Sequence, residues 1–166
     1  MSVDTLMLLR HEEAAPSAQT AFHAFLQAWA GRLPASADIA HIGSTAIPGC
    51  LTKGDLDVCV RADREDVASI DALLATRYAR NAGSFRSAEF SAFKDDNQQP
   101  PLGVQLVARG SELDVFVRFR DCLLRDPHLV AAFNALKRAH AERPMASYRQ
   151  AKADFIAGVL SANTFA

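Results

Sequence analysis

The segment from Asp55 to Val60 reads DLDVCV and places two carboxylates in an otherwise apolar strand pattern. Side chains two apart on a strand point to the same face, so Asp55 and Asp57 share one face, roughly 6.6–6.8 Å apart at the backbone. Two apposed carboxylates repel each other, and a bound hard cation relieves that repulsion. The segment therefore predicts a strand whose acidic face belongs to a site.

A turn-rich stretch, HIGSTAIPGC, precedes this strand. Asp38–Ile42 is a shorter strand candidate that runs directly into Gly43 and Ser44. A glycine lets the backbone approach a ligand closely, and free N–H groups beside the Ser44 hydroxyl form a small phosphate cradle. His41 adjoins the same turn and is the histidine of most interest.

A third acid, Asp114, lies in another apolar pattern, which predicts a strand over Glu112–Phe119. A carboxylate there is costly unless it faces water, a partner or a metal. Three strand carboxylates beside a Gly-Ser turn suit phosphoryl transfer by two metal ions. Each feature alone is common in solvent-facing strands and turns, so the interpretation depends on their joint occurrence.

The remaining patterns alternate between helices and strands. Helical spacing of apolar residues predicts helices over Ser17–Ala30, Arg64–Ala79 and Ser147–Leu160, and one that begins at Asp126-Pro127. Leu102–Ala108 is a further strand candidate. We expect a single domain, 1–166, of the α+β class: a small mixed β-sheet with flanking helices and a C-terminal helical tail.

Composition narrows the functional classes. The 166 residues include 18 Lys and Arg against 19 Asp and Glu, a net charge of −1, which argues against nucleic acid as a partner. Cysteines number three, an odd count that favours reduced thiols. No apolar run reaches the roughly 20 residues of a membrane span. The N-terminus lacks the basic start and apolar core of a signal peptide, so we expect a cytoplasmic protein without membrane contact.

At these motifs the sequence resembles the GrpB family. The resemblance rests on H-x-G-S-T-x-x-P-G followed by K-x-x-x-D, and on the later FRDCLLRDP segment, and it runs from about His41 to Ile156. It implies the nucleotidyltransferase fold of the polymerase-β-like superfamily. Many family members keep only the second acid of the pair and have histidine where Asp114 stands, so this chain is closer to the active superfamily pattern.

The resemblance also implies roles for single residues. Gly43 and Ser44 would contact nucleotide phosphates. The acids Asp55, Asp57 and Asp114 would be the catalytic residues and would bind Mg²⁺ or Mn²⁺. Lys53, in the loop before the acids, and Arg118, predicted on the strand face of Asp114, would contact phosphate.

Two functions are consistent with these motifs. The first is a Mg²⁺-dependent nucleotidyltransferase that moves a nucleoside monophosphate from a nucleoside triphosphate to an unknown small-molecule acceptor. The second is a non-catalytic nucleotide- or metabolite-binding accessory protein with the same fold, favoured by the small size and by relatives that lack part of the acid set.

Overall fold

The computed structural model describes residues 6–163. Residues 1–5, part of the segment that argued against a signal peptide, lie outside the described residues, as do residues 164–166. The elements in chain order are α1 (His11–Trp29), β1 (Asp38–Ile42), a 3₁₀ turn (Ser44–Ala46), β2 (Leu56–Ala62), α2 (Arg64–Ala75), β3 (Ala79–Arg80), β4 (Phe90–Asp95), β5 (Leu102–Ala108), α3 (Phe116–Arg125), α4 (Pro127–His140) and α5 (Met145–Ala162).

The strands form one mixed sheet in the order β1-β2-β5-β4-β3. β2 pairs with β5 in parallel, with Asp57 opposite Gly103, and the other neighbours pair antiparallel. With helices packed around this sheet, the α+β class and the small mixed sheet are confirmed. Strand β2 lies between β1 and β5, and its two ends carry different polar groups, Asp57 at the start and Arg61 near the end.

Different groups of residues pack against the two faces of the sheet. On one face, alternate residues of β2 pack against α1 and α2, and the buried indole of Trp29 donates a hydrogen bond to the Tyr78 hydroxyl at 3.0 Å. On the other face, Cys59 packs in a smaller cluster with Ile42 and Phe116. The acidic face of β2 therefore looks toward the helices that come after β5.

Several predicted elements differ from the structure, and the helix predicted over Arg64–Ala79 ends at Ala75. The helix predicted from Ser17 begins at His11, because the Glu13 carboxylate accepts the backbone N–H of Arg10 at 3.1 Å and caps an earlier turn. The strand predicted over Glu112–Phe119 is a turn followed by α3. Its apolar residues recur at the helical period as well as in alternation, and short patterns of this kind do not separate the two structures.

Within residues 6–163, no helix combines the length and the apolarity that a membrane crossing requires.

Candidate functional site

The Asp57 carboxylate lies between two glycines near the start of β2. A Cβ added to Gly43 would come 2.5 Å from one Asp57 carboxylate oxygen, and one added to Gly103 would come 2.9 Å from the other. Both distances are shorter than a carbon–oxygen contact allows, so neither position accepts a larger residue without movement of Asp57. The missing side chains of the two glycines thus leave the space that the Asp57 carboxylate occupies.

Asp57 makes no hydrogen bond or close ion pair within the described part of the chain. Burial raises its pKa to about 6, the nearby charge of Asp55 adds to the rise, and Lys152, Lys53 and Lys137 oppose it. A partly buried carboxylate without a direct partner is less favourable in its ionised form. The geometry therefore leaves Asp57 ready to take a cation or a proton from outside the chain.

A pocket of about 180 Å³ opens on one side of Asp57 and is called here the cationic pocket. Its charged and hydroxyl-bearing lining residues are Ser44, Thr52, Lys53, Asp55, Asp57, Lys137, Tyr148, Arg149 and Lys152. Four basic side chains against two carboxylates give the pocket a positive balance. Such a lining attracts a multiply charged anion.

The Gly-Ser turn is joined to the acids by a short hydrogen-bond chain. The Thr45 hydroxyl donates to the Asp55 carbonyl at 3.1 Å and lies 2.9 Å from Nε2 of His41. Because that hydroxyl has one proton and gives it to Asp55, His41 must donate through Nε2. Burial and the charge of Arg120 lower the pKa of His41 to about 4, which favours the neutral ring at pH 7. His41 therefore serves to position the turn.

Helix α4 fixes the other side of the same loop. Asn134 accepts the Leu51 N–H and donates to the Gly49 carbonyl, both at 2.8 Å. One turn later, Lys137 donates to the Ser44 hydroxyl at 2.5 Å and to the Leu51 carbonyl. Since Ser44 uses its oxygen to accept from Lys137, its own proton remains available for a ligand.

Lys137 is almost wholly buried. Burial lowers its pKa to about 7, and the charge of Lys152 lowers it further, while Cys50 and Asp57 oppose the shift. An anion bound beside this ammonium would favour its charged form. Lys137 is therefore placed to respond to a ligand in the cationic pocket.

Asp114 does not join the other two acids, contrary to the prediction. Its carboxylate accepts two hydrogen bonds from Arg61, both 2.7 Å, and the Gly110 N–H at 2.8 Å. Arg61 is four residues beyond Asp57, roughly 13 Å along the strand, and Asp114 comes after the far end of β5. It lies in a turn rather than on a strand, so its acidic group faces a structural partner and not the site.

The predicted phosphate contacts also differ in outcome. Gly43 and Ser44 lie beside Asp57, and Lys53 lines the cationic pocket, where its ammonium is 3.6 Å from the Asp55 carboxylate. Arg118 is exposed on α3 and lines neither cavity beside Asp57, because the segment that carries it is helical.

Sequence reasoning missed three basic residues of the pocket: Lys137, Arg149 and Lys152. Lys137 comes four positions after the core residue Phe133, so the two share the buried face of α4. The position of a lysine on the apolar face of a helix was the signal in the sequence that could have identified Lys137. Nothing in the sequence places Arg149 and Lys152 opposite the Gly-Ser turn.

The donor set fits one hard cation and does not fit the predicted pair. Within residues 6–163, no three side chains of the His, Cys, Asp and Glu types come together as a metal-binding group. Asp55 and Asp57 line the same pocket and offer two carboxylates. Water or phosphate oxygens would complete the coordination of a Mg²⁺ held there.

Comparison with known sequences identifies relatives along nearly the whole chain. The GrpB family, described as "GrpB protein", matches residues 6–162. A UPF0157 protein of Vibrio cholerae is 31% identical over 158 residues, which cover 95% of this chain and 83% of the relative. A UPF0157 protein of Streptomyces coelicolor is 31% identical over 137 residues, which cover 78% of this chain and 70% of the relative.

Solved structures agree on the fold. The conserved protein GrpB from Enterococcus faecalis superposes with a TM-score of 0.71 at 20% identity, covering 89% of this chain and 92% of that one. A Cid1 poly(U) polymerase mutant bound to MgATP superposes with a TM-score of 0.51 at 14% identity, covering 78% of this chain and 42% of that one. This chain thus has a nucleotidyltransferase-like fold and spans less than half of the polymerase.

Proposed function

The chain belongs to the GrpB family, and from that premise we propose that it is a metal-dependent nucleotidyltransferase that uses a nucleoside triphosphate. The observation that carries the proposal is Asp57, a carboxylate fixed between two glycines, without a direct partner in the described residues, at the edge of a positively charged pocket. A structural carboxylate would be satisfied by the chain itself, as Asp114 is.

The cationic pocket supports a triphosphate as the ligand. Lys137 and Lys152 come from two different helices that lie after the sheet in the chain, and Lys53 comes from the loop before β2. Their ammonium groups, with the Ser44 hydroxyl proton, would contact phosphate oxygens around a common centre. Dispersed surface lysines would not share one pocket with two carboxylates.

Asp55 and Asp57 would hold one Mg²⁺ or Mn²⁺ ion in contact with those phosphates. When bound, the ion supplies neutralisation of the charge that develops on the phosphate oxygens. The Cid1 polymerase, a structural neighbour of the same fold, was solved with MgATP, which agrees with this pairing of ligand and metal. The chain's own part is to position the triphosphate and to exclude other approaches to Asp57.

The proposed transfer conserves atoms and charge. An acceptor hydroxyl oxygen forms a bond to the α-phosphorus, and the bond from that phosphorus to the pyrophosphate oxygen breaks. Pyrophosphate leaves with the electron pair, and the hydroxyl proton is released to water. Lys137 and Lys152 would stabilise the negative charge of the leaving group.

Calorimetric titration of ATP with and without Mg²⁺ tests the proposal. We expect wild-type protein to bind ATP in a metal-dependent manner, and Asp57→Asn to lose that dependence. Asp38→Asn is the matched control, because that carboxylate is 68% exposed and pairs with Arg109 outside the pocket. Wild-type protein that binds no ATP in the presence of Mg²⁺ would contradict the proposal.

The second candidate is a nucleotide-binding accessory protein without turnover. The observation that favours it is the absence of Asp114 from the site, where Gln105 of β5 lies on the same face as Asp57 instead. A screen with α-labelled nucleoside triphosphates separates the two functions. Product formation by wild type that Asp55→Ala abolishes would exclude the accessory role.

A further inference from the structure

A second cavity adjoins the cationic pocket at Asp57 and is called here the apolar cavity. It has a volume of about 140 Å³ and shares Ser44, Asp57 and Lys152 with the cationic pocket. Most of its remaining wall is apolar and comes from Ile42, Phe116, Phe119, Phe133 and Ile156. A ligand in this cavity would therefore touch the same carboxylate that faces the proposed triphosphate.

The volume sets the size of an occupant. A cavity of roughly 150 Å³ lined by Leu, Ile and Phe residues accommodates benzene. The apolar cavity thus accepts one six-membered ring or a branched aliphatic group of similar size. A nucleoside, with its base and ribose, exceeds that volume, and so does the end of a polynucleotide strand.

The aromatic part of the wall is rigid. The rings of Phe119 and Phe133 lie 5.7 Å apart, and each meets the Phe155 ring edge to face at 6.1 Å and 5.1 Å. Mutual packing of this kind restrains ring rotation, because each ring blocks its neighbours. The cavity is therefore held open by the fold and does not need a ligand to form.

One polar side chain, Gln105, faces this apolar wall. It lies on β5 opposite Cys59, two residues after Gly103, and so on the same face as Asp57. Its amide has no hydrogen-bond partner among residues 6–163. An amide can both donate and accept. A ligand hydroxyl would therefore accept a hydrogen bond from the Gln105 amide nitrogen or donate one to its oxygen.

We propose that the apolar cavity binds the acceptor of the reaction, a small alcohol or phenol with one ring-sized apolar group whose hydroxyl is recognised by Gln105. This inference rests on the proposed function and names its acceptor class. The hydroxyl would lie between Gln105 and Asp57, and Asp57 borders the pocket that takes the triphosphate. The acceptor and the nucleotide would thus both border the Asp57 carboxylate.

Protein-observed NMR titration with benzyl alcohol tests the proposal, with toluene as the probe that lacks the hydroxyl. Wild type should bind benzyl alcohol saturably, with the largest shifts at Ile42 and Ile156. Gln105→Leu should lower the affinity for benzyl alcohol about three- to tenfold, which is the effect of one lost hydrogen bond. The affinity for toluene should be unchanged or higher. Equal losses for both probes would overturn the role of Gln105.

Ile156→Phe fills the cavity from α5 and should abolish binding of both probes. Leu160→Phe is the matched control, one turn later on the same helix and outside the cavity lining. Binding of benzyl alcohol that persists in Ile156→Phe would overturn the proposal, as would adenosine shifting the same residues. Circular dichroism of each variant verifies that it is folded.

Different results would contradict the proposed function and the proposed acceptor class. Mg²⁺-dependent ATP binding is measured on the wild-type protein, so its outcome does not depend on any variant of the apolar cavity. If the protein binds ATP but not benzyl alcohol, the proposed acceptor class is wrong and the proposed nucleotide site is retained. Benzyl alcohol binding without ATP binding would remove the proposed function and leave the apolar cavity as a site of another kind.

Discussion

Two aspartates that the sequence presents in apolar patterns lie near opposite ends of strand β2, Asp57 on the strand itself and Asp114 in the turn after β5, where it pairs with Arg61. Their surroundings differ. At the far end, Asp114 accepts three hydrogen bonds, two from Arg61 and one from Gly110. At the near end, Asp57 accepts none from the described residues. The difference indicates which acid serves the fold and which one is available to a ligand.

The pKa values show the same division. Burial raises the pKa of Asp57 to about 6. At Asp114, burial also acts to raise the pKa, but the hydrogen bonds from Arg61 and Gly110 outweigh it and the pKa is lowered. An ionised Asp114 therefore stabilises the folded chain, whereas an ionised Asp57 destabilises it. Variants at the two ends of β2 should separate these roles.

The largest expected effect is the loss of stability in Asp114→Asn. Removal of one partner of a buried ion pair typically costs 3–5 kcal/mol, and because Arg61 is 28% exposed we expect about 2–3 kcal/mol here. Urea unfolding measures the change. Asp121→Asn is the control, since its pair with Arg120 is 44% exposed on the acid side and should change stability by less than about 0.5 kcal/mol.

An unchanged unfolding free energy in Asp114→Asn would show that the Arg61 pair does not stabilise the fold. It would also make Asp114 a candidate functional acid again.

Asp57→Asn should act in the opposite direction and make the metal-free protein more stable by about 2 kcal/mol at pH 7, below the roughly 3 kcal/mol of the full pKa difference because the residue is only partly buried. The pKa of Asp57 is about 6 in the folded chain against an ordinary value of 3.8. Its contribution is thus fully present below pH 3.8 and is lost as the pH rises through about 6. An asparagine side chain does not ionise, so the variant does not lose this stability as the pH rises.

Urea unfolding of both proteins at several pH values measures this difference. His41, whose pKa is lowered to about 4, contributes an opposite slope that is common to both and cancels. A variant that is less stable than wild type at pH 7 would contradict the contrast between the two acids.

Lys137 should give the pocket a pH dependence of roughly 1.5 kcal/mol in unfolding free energy. Its pKa is about 7 when folded against an ordinary 10.5, so the unfolded chain binds more protons between these values. Stability from this group therefore rises from pH 7 to roughly pH 8.5, above which unfolded cysteines ionise and act in the other direction. Lys137→Met should flatten the rise, and an equal slope in both proteins would refute the assignment.

The smallest effect should come from Lys53→Ala. The lysine is 47% exposed and 3.6 Å from Asp55, so its pair contributes less than about 0.5 kcal/mol to stability. Its role would be confined to ligand binding, and we expect Mg²⁺-dependent ATP affinity to fall by a few fold in calorimetry. Loss of stability above about 1 kcal/mol would mean that the loop depends on this pair.

The sequence predicted most of the site residues near the start of β2, around Asp57, and misassigned Asp114 near the other end. Gly43, Ser44, Asp55 and Asp57 lie within 15 positions, and one strand after one turn brings them together by local geometry. The GrpB resemblance and the α+β fold, which rest on short motifs and local periodicity, were also confirmed. Local patterns therefore predict a site where one loop and one strand build it.

The remaining residues depend on tertiary packing. Asp114 was assigned to the site because its apolar neighbours alternate, but the bonds from Arg61 and Gly110 fix it in a turn. Lys137 reaches Ser44 across 93 positions, and Arg149 and Lys152 reach the same pocket from α5. No spacing in the sequence encodes which helix face meets the Gly-Ser turn.

Titration of Mn²⁺ in the presence of a non-hydrolysable ATP analogue, followed by electron paramagnetic resonance, tests the central contrast most directly. Asp57→Asn should weaken Mn²⁺ binding by at least about 100-fold, because a ligand is lost, while folded Asp114→Asn should bind within about threefold of wild type. Equal weakening in the two variants, or tight binding by Asp57→Asn, would contradict the assignment of Asp57 to the site and of Asp114 to the fold.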